Sequence, residues 1–297
     1  GTVSGFAAIE PERVKEIEGG FDLNFLNGRA NLDVSAYDRR TTNLLLSRTP
    51  APSTGFTSQI FNGGEIQNKG VEVVLGLTPV QGQNFSWQTS SSFTLHRSKV
   101  LSLPVPSFRP PSSGFGGLGV LLIEEGKPLT RVFGPLDANG NQGDIGDTEA
   151  KFRVGLQQGF TYKSFGFSVT ADYQNGGTVT NLTQFLYDDG KTEVDFGSAA
   201  HTTRINDCYN TGNMLCYIEP ADFFKLREVA LNWLLPNGVT QAVGAGLRDI
   251  RVSLTGRDLF WSIKYSGLDS EVANFGSAAI RSNVDVTPYP PSRSIFL

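Results

Sequence analysis

The feature that most constrains this chain is a two-residue alternation of apolar and polar side chains, recurring in segments of about ten residues, the length of a tilted membrane-spanning strand. From Lys15 to Phe25 the odd positions Ile17, Gly19, Phe21, Leu23 and Phe25 are apolar or small. The even positions Glu16, Glu18, Gly20, Asp22 and Asn24 are polar or small. Side chains alternate across a strand, so such a segment is a strand with two chemically different faces. Asn27-Gly28 follows, a pair suited to a tight hairpin turn whose two central residues both need positive φ. A returning strand carries Ala30, Leu32, Val34 and Ala36 on one face and Asn31, Asp33, Ser35, Tyr37 and Arg39 on the other.

The pattern returns three times. Val71, Val73, Leu75 and Leu77 lead through a turn near Pro79 to Gly82, and Phe85, Trp87, Phe93 and Leu95 follow, opposite Ser86, Gln88, Ser90, Ser92 and Thr94. Phe152, Val154, Leu156, Phe160 and Tyr162 reach Lys163-Ser164, and Phe165, Phe167, Val169, Ala171 and Tyr173 run back. Val229, Leu231 and Trp233 precede Pro236-Asn237-Gly238, after which Ile250, Val252 and Leu254 oppose Arg251, Ser253, Thr255 and Arg257. A ninth strand is expected from near Ser292. The links at 27–28, 79–83, 163–164 and 235–248 are shorter, and those at 47–65, 99–151, 175–222 and 261–291 are long and polar. That alternation is the signature of a barrel with short periplasmic turns and long extracellular loops. The count of nine requires Val120 to Phe133 to stay inside a loop.

The reading is therefore all-β: an antiparallel transmembrane β-barrel, with about nine strands of a larger barrel in residues 1–297. A hydrophobic content of 39% is low for helical spans, and no apolar run approaches the roughly 20 residues a spanning helix needs. The rival is a soluble all-β protein, which would bury the aromatic faces in a core. Aromatic residues clustered around Tyr162 and Phe165 favour a girdle at a membrane boundary. A formal charge of −4, with no basic run, argues against nucleic-acid binding. Gly1 to Gly5 lack a signal peptide's charged and apolar regions, so a signal was removed or the chain begins inside a longer protein.

Few residues suggest site chemistry. Cys208 and Cys216 flank a polar stretch and read as two unrelated thiols or, as preferred here, a loop disulfide in an oxidising compartment. Asp137, Asn139 and Asn141 stand at alternate positions of a calcium-loop pattern. Gln142 replaces the turn glycine, and Thr148 the bidentate Glu, so a solvated loop is the simpler reading. Gly114 to Gly119 match G-x-G-x-x-G without the strand and helix a dinucleotide site needs. With His96 at a strand end, His201 in a loop, no G-x-S-x-G and no paired-carboxylate motif, the chain does not read as an enzyme. Arg39, Arg153, Arg251 and Arg257 face the lumen, to contact substrate or to pair with Glu16, Glu18, Asp22, Asp33 and Glu72; buried charge favours pairing.

A series of segments in order resembles TonB-dependent outer-membrane receptors of the SusC/RagA type. They are Pro11 to Phe21, Ser53-Thr54-Gly55-Phe56, Asn62 to Glu72, Phe224 to Leu231, Leu254 to Phe260, Tyr265 to Val272 and Tyr289 to Ser294. The resemblance implies an importer of oligosaccharides, peptides or similar nutrients in the outer membrane of a Gram-negative-type bacterium. It also implies a plug within the barrel driven by TonB, a SusD-like surface lipoprotein, and membrane lipid around the wall. Only the C-terminal part of that architecture is matched, and no plug is recognisable. The chain would then be a fragment or one half of a split receptor. The alternative is a structural or surface-interaction protein using a receptor-like barrel without transport.

Overall fold

Each alternating segment is too short and too polar on one side to be buried alone, so it completes its backbone hydrogen bonds with the next segment in sequence. A computed structural model describes residues 3–5, 9–110, 114–115, 119–192, 194–236, 238–240, 249–271 and 284–297. Its main sheet contains β1 (Arg13–Phe25), β2 (Ala30–Thr42), β3 (Glu65–Gln81), β4 (Phe85–Ser102) and β5 (Phe152–Tyr162). It continues through β6 (Phe165–Asn175), β7 (Phe223–Leu234), β8 (Arg251–Ile263) and β9 (Ser294–Phe296). The nine strands lie in chain order, every neighbouring pair antiparallel. This is an up-and-down meander, the topology of a barrel wall.

Register keeps the two faces separate across the sheet. Phe21, Val34, Val73, Phe93, Val154, Tyr173 and Phe224 are successive partners in one apolar row. On the other face Asn31, Gly76, Ser90, Gln157, Thr170, Glu228 and Arg257 form a polar row. Among the described residues no protein layer covers the apolar face: Ile17 is 79% exposed and Phe21 51%. So large a bare apolar face is a lipid surface. The soluble all-β reading fails here, because among the described residues no second sheet covers the aromatic rows. Instead a small apolar core sits in the long loops, around Val132, Ile145, Leu182, Cys208, Met214 and Tyr217.

Aromatic contacts mark both edges of the band. Near the short turns Trp87 stacks on Phe160, and Phe165 on Trp233, at 5.9 and 5.7 Å between centroids. Toward the long loops Phe152 meets Phe93 and Tyr173 at 5.7 and 5.9 Å. From Tyr162 to Phe152 the strand runs about 33 Å, or about 25 Å of height at a tilt near 40°. Beyond the upper belt the outward row changes to Asp38, Lys69 and Arg97, with Lys69 3.4 Å from Asp38. Within the band Gln158 is satisfied on the apolar face, accepting from Trp87 Nε1 at 2.9 Å and donating to Thr89.

The turns refine the sequence reading. Asn27 and Gly28 have φ of 56° and 80°, and Arg29 N donates to Leu26 O at 3.2 Å, as the two-residue turn requires. The turn placed at 79–83 instead falls after Gln81. Thr78-Pro79 forms a bulge within β3, where proline costs no ladder bond because β2 ends opposite Leu77. β3 and β4 also extend beyond the apolar alternation, since outside hydrocarbon the outward positions take charges. The 235–248 link is held by Leu235 N donating to Ile250 O; Asn237 and 241–248 lie outside the described residues.

The long links carry their own structure at one end of the sheet. Residues 131–135 pair with 119–121 and 142–147, so the Val120 to Phe133 stretch forms loop sheet and the nine-strand parity holds. Of the glycine motif, 116–118 lie outside the described residues, and 114–115 pair with 119–120 as short antiparallel strands. Helices α1 (Leu182–Gly190) and α2 (Ala199–Arg204) fill the link after β6. Among the described residues no helix is long and apolar enough to cross a membrane.

Candidate functional site on the lumenal face

The polar face of the meander is the lumenal side of the barrel. A cavity of about 410 Å³ opens on it over β1 to β4, lined by Glu16, Glu18, Tyr37, Arg39, Glu72 and His96, among others. Its shape depends on one glycine. Glu18, Tyr37, Gly70 and His96 are successive register partners. Gly70 has no side chain, so Tyr37 lies across it and its hydroxyl hydrogen-bonds His96 Nδ1 at 2.9 Å. A Cβ on Gly70 would come within 2.3 Å of the Tyr37 ring. His96 lies inside β4 and not at its end, because β4 continues to Ser102. Its Nε2 is 4.0 Å from Glu149, which accepts from Ser98 N and Oγ and so docks the loop's return segment.

A second cluster lies over β6 and β7. Strict alternation places Phe224 and Leu226 outward, then breaks, and Val229, Leu231 and Trp233 resume one register later. Arg227 is the extra residue of that bulge and turns lumenward, donating to Asp172 at 2.8 Å and Glu271 at 2.6 Å. Lys225, only 5% exposed, reaches Glu271 at 2.6 Å and also Asp269. The loop after β8 is thereby tied to the wall by two cations and three carboxylates. Of the five only Lys225 is buried, and its charge is held there because Asp269 and Glu271 both pair with it.

The lumenal arginines divide. Arg39 approaches Glu16 at 3.8 Å, as the pairing reading expects. Arg257 pairs at 2.9 Å with Glu228, outside the anticipated set, because register puts the two directly opposite. Arg153 and Arg251 have no ion pair among the described residues; Arg153 borders a cavity of about 160 Å³ with Asp172 and Glu271. Sequence alternation identified the face, but Gly70, Lys225, Arg227 and the 269–271 segment required register and loop packing. The break in parity after Leu226 was the one available signal.

In the loops, Cys208 and Cys216 are disulfide-bonded, Cα atoms 6.1 Å apart, with Cys208 in the loop core. Asp188 is fully buried beside them and accepts from Arg204, Tyr217 and Gln184. Burial opposes its charge, but these donors outweigh burial and hold its carboxyl below the usual range. Tyr217 is driven upward by burial and then by its bond to Asp188. His201 sits in α2, its Nδ1 accepting from Gly197 N at 3.2 Å. Asp137 closes its own turn, accepting from Asn139 N at 2.9 Å, Asn141 N at 3.2 Å and Asn141 Nδ2 at 2.6 Å. Among the described residues no cluster of three His, Cys, Asp or Glu side chains is arranged to hold a metal; Asp137 with Asn139 and Asn141 offers one carboxylate and two side-chain amides.

A single-layer antiparallel meander, lipid-facing on one side and polar on the other, is the wall of a transmembrane β-barrel. A family model described as TonB dependent receptor-like, beta-barrel, matches residues 1–210. The chain belongs to that family, whose members are outer-membrane receptors and transporters and not enzymes. Among curated relatives, TonB-dependent receptor P3 of Formosa agariphila is 23% identical over 96% of this chain and 34% of its own length. TonB-dependent receptor SusC of Bacteroides thetaiotaomicron is 24% identical over 96% of this chain and 31% of its own. The RagAB peptide transporter superposes with a TM-score of 0.72 at 20% identity, covering 96% of this chain and 34% of the matched chain. The chain thus spans about a third of the length of these relatives.

Proposed function

We propose that this chain forms part of the wall and the extracellular loops of a TonB-dependent importer for oligosaccharides, peptides or similar nutrients. The observation that carries the reading is the nine-strand meander, lipid-facing on one side and charged on the other, in a chain of this family. In this reading the strands lie in the C-terminal part of the barrel, and the plug that couples to TonB lies outside these residues. The lumenal charges then face the plug or the passing solute. A SusD-like lipoprotein would cover the long-loop end. Calcium at Asp137, Asn139 and Asn141 is a separate proposal, checked by calcium titration of the complete receptor.

The test is uptake by cells carrying the complete gene product, with and without TonB, of labelled oligosaccharides and peptides. Import of at least one class only when TonB is present supports the reading. A complete barrel in the outer membrane that imports nothing favours the structural or surface-interaction alternative.

A further inference from the structure

The outward side of β1 to β4 carries a charge pattern that wall-building alone does not require. Beyond Leu95 the next outward positions of β4 are Arg97 and Lys99. Register carries each across the first four strands. Arg97 is opposite Lys69, Lys69 opposite Asp38, and Asp38 opposite Ile17. Lys99 is opposite Gln67, Gln67 opposite Arg40, and Arg40 opposite Lys15. At about 3.3 Å per residue and a tilt near 40°, the two rows stand about 5 and 10 Å above Leu95. The headgroup layer of a bilayer is about 5–8 Å deep on each side of the hydrocarbon, and long basic side chains adjust their charge to it.

The two rows hold five exposed cations, Lys15, Arg40, Lys69, Arg97 and Lys99, and one carboxylate, Asp38. Lys69 and Arg97 are directly opposite each other, as are Lys15 and Arg40, and like charges so placed destabilise a sheet. The protein's own anions relieve this only in part. Asp38 already accepts from Gln67 Nε2 at 2.9 and 2.8 Å, with Lys69 at 3.4 Å and Arg40 at 3.8 Å. Glu65 is 3.5 Å from Arg40. Glu149 is 3.5 Å from Arg97 but accepts from Ser98 N and Oγ at 3.0 and 2.9 Å. Arg97 also donates to the Ala150 and Lys151 carbonyls, which leave its charge in place. Lys15 and Lys99 have no ion pair among the described residues. On the lumenal side the same strands present Glu16, Glu18 and Glu72. The positive excess therefore sits on the side that faces the membrane.

We infer that this rim is a binding site for the phosphorylated headgroup of an anionic lipid in the leaflet at the long-loop end. A phosphate placed over either cation pair replaces repulsion by attraction to both members, and the lysine ammoniums donate to its oxygens. Position selects a lipid over a free anion. The acyl chains of the same molecule lie against the apolar rows directly below, where Val71 and Leu95, then Val73 and Phe93, are register partners. Free phosphate gains the charge contacts alone. The inference rests on the barrel wall and not on the importer reading.

The complete receptor, delipidated in neutral detergent, is titrated by native mass spectrometry with lipid A, a phosphorylated glycolipid, and with lipid A stripped of its phosphates. Lipid A is expected to bind and the stripped form is not. Lys15→Gln, Lys69→Gln and Lys99→Gln together should weaken lipid A binding about tenfold or more. Arginine at the same three positions should retain it. Arg109→Gln, Lys127→Gln and Lys191→Gln, which remove the same charge from the loops, should leave it unchanged. Heat-modifiable barrel mobility is the folding control for every variant. Equal binding of the two lipids, or unchanged binding by the folded rim Gln variant, overturns the inference. An equal loss in the loop variant overturns it in favour of unspecific attraction. Displacement of lipid A by millimolar inorganic phosphate overturns it in favour of a free-anion site.

Discussion

At the scale of single residues the strongest constraint is charge without water. Asp188 is tolerated in the loop core only because Arg204, Tyr217 and Gln184 supply its donors. Arg204→Ala should cost the loop module about 3–5 kcal/mol, since it leaves a buried carboxylate unpaired. Faster hydrogen exchange across residues 182–217, with strand exchange unchanged, is the readout; unchanged exchange in the loop would refute it. The same contacts set a pH window. Asp188 is depressed in the fold, so its stabilisation is complete above its ordinary value of 3.8 and is lost as pH falls through the lower folded value. Tyr217 is raised, so its stabilisation holds below its ordinary 10.0 and is lost as pH rises through the higher folded value. Loop protection measured against pH should therefore plateau between these ordinary values and fall on both sides. None of this was legible in the sequence, where Asp188 and Arg204 are two polar residues among many in a long link.

Strands were legible because their period of two appears directly in the order of residues. Their exact reach was not, since beyond the hydrocarbon band nothing in the pattern demands that outward residues be apolar. Nor was the Thr78-Pro79 bulge, because a proline looks like a turn until the neighbouring strand is known to end beside it. The face assignment makes a sharp prediction. Leu32, Leu75, Ser91, Leu156 and Ala171 share an outward row near mid-height of the band. Leu75→Arg should destabilise the folded barrel by about 2–4 kcal/mol, and Val154→Arg, one step nearer the upper aromatic belt, by less. Gln157→Arg, on the polar face, should cost little. Urea titrations of the complete protein in lipid vesicles compare the three, and equal costs at Leu75 and Gln157 would contradict the lipid-facing assignment.

For the whole molecule the question is where the sheet edges go. Among the described residues β1 and β9 each have one side without a neighbour in the main sheet. An unpaired strand edge in hydrocarbon leaves each backbone group unsatisfied at several kcal/mol. Residues 1–297 expressed alone should therefore fail to give a heat-modifiable barrel in lipid, and the same residues within the complete gene product should give one. A closed, stable barrel from these residues alone would mean that β1 and β9 can meet.

Local order in the chain determined which segments are strands, which face meets lipid, that the long links share one end, and that two cysteines lie close enough to bond. These follow from side-chain period and spacing, and any backbone obeying strand geometry must express them. Tertiary structure alone decided that Tyr37 reaches His96 across Gly70, that Arg227 turns inward at a bulge, and that Asp188 meets Arg204 and Tyr217. Those contacts join residues from different strands or separate turns of a long loop. Their partners are chosen by register and by the need to satisfy buried charge, neither of which leaves a periodic trace in the sequence.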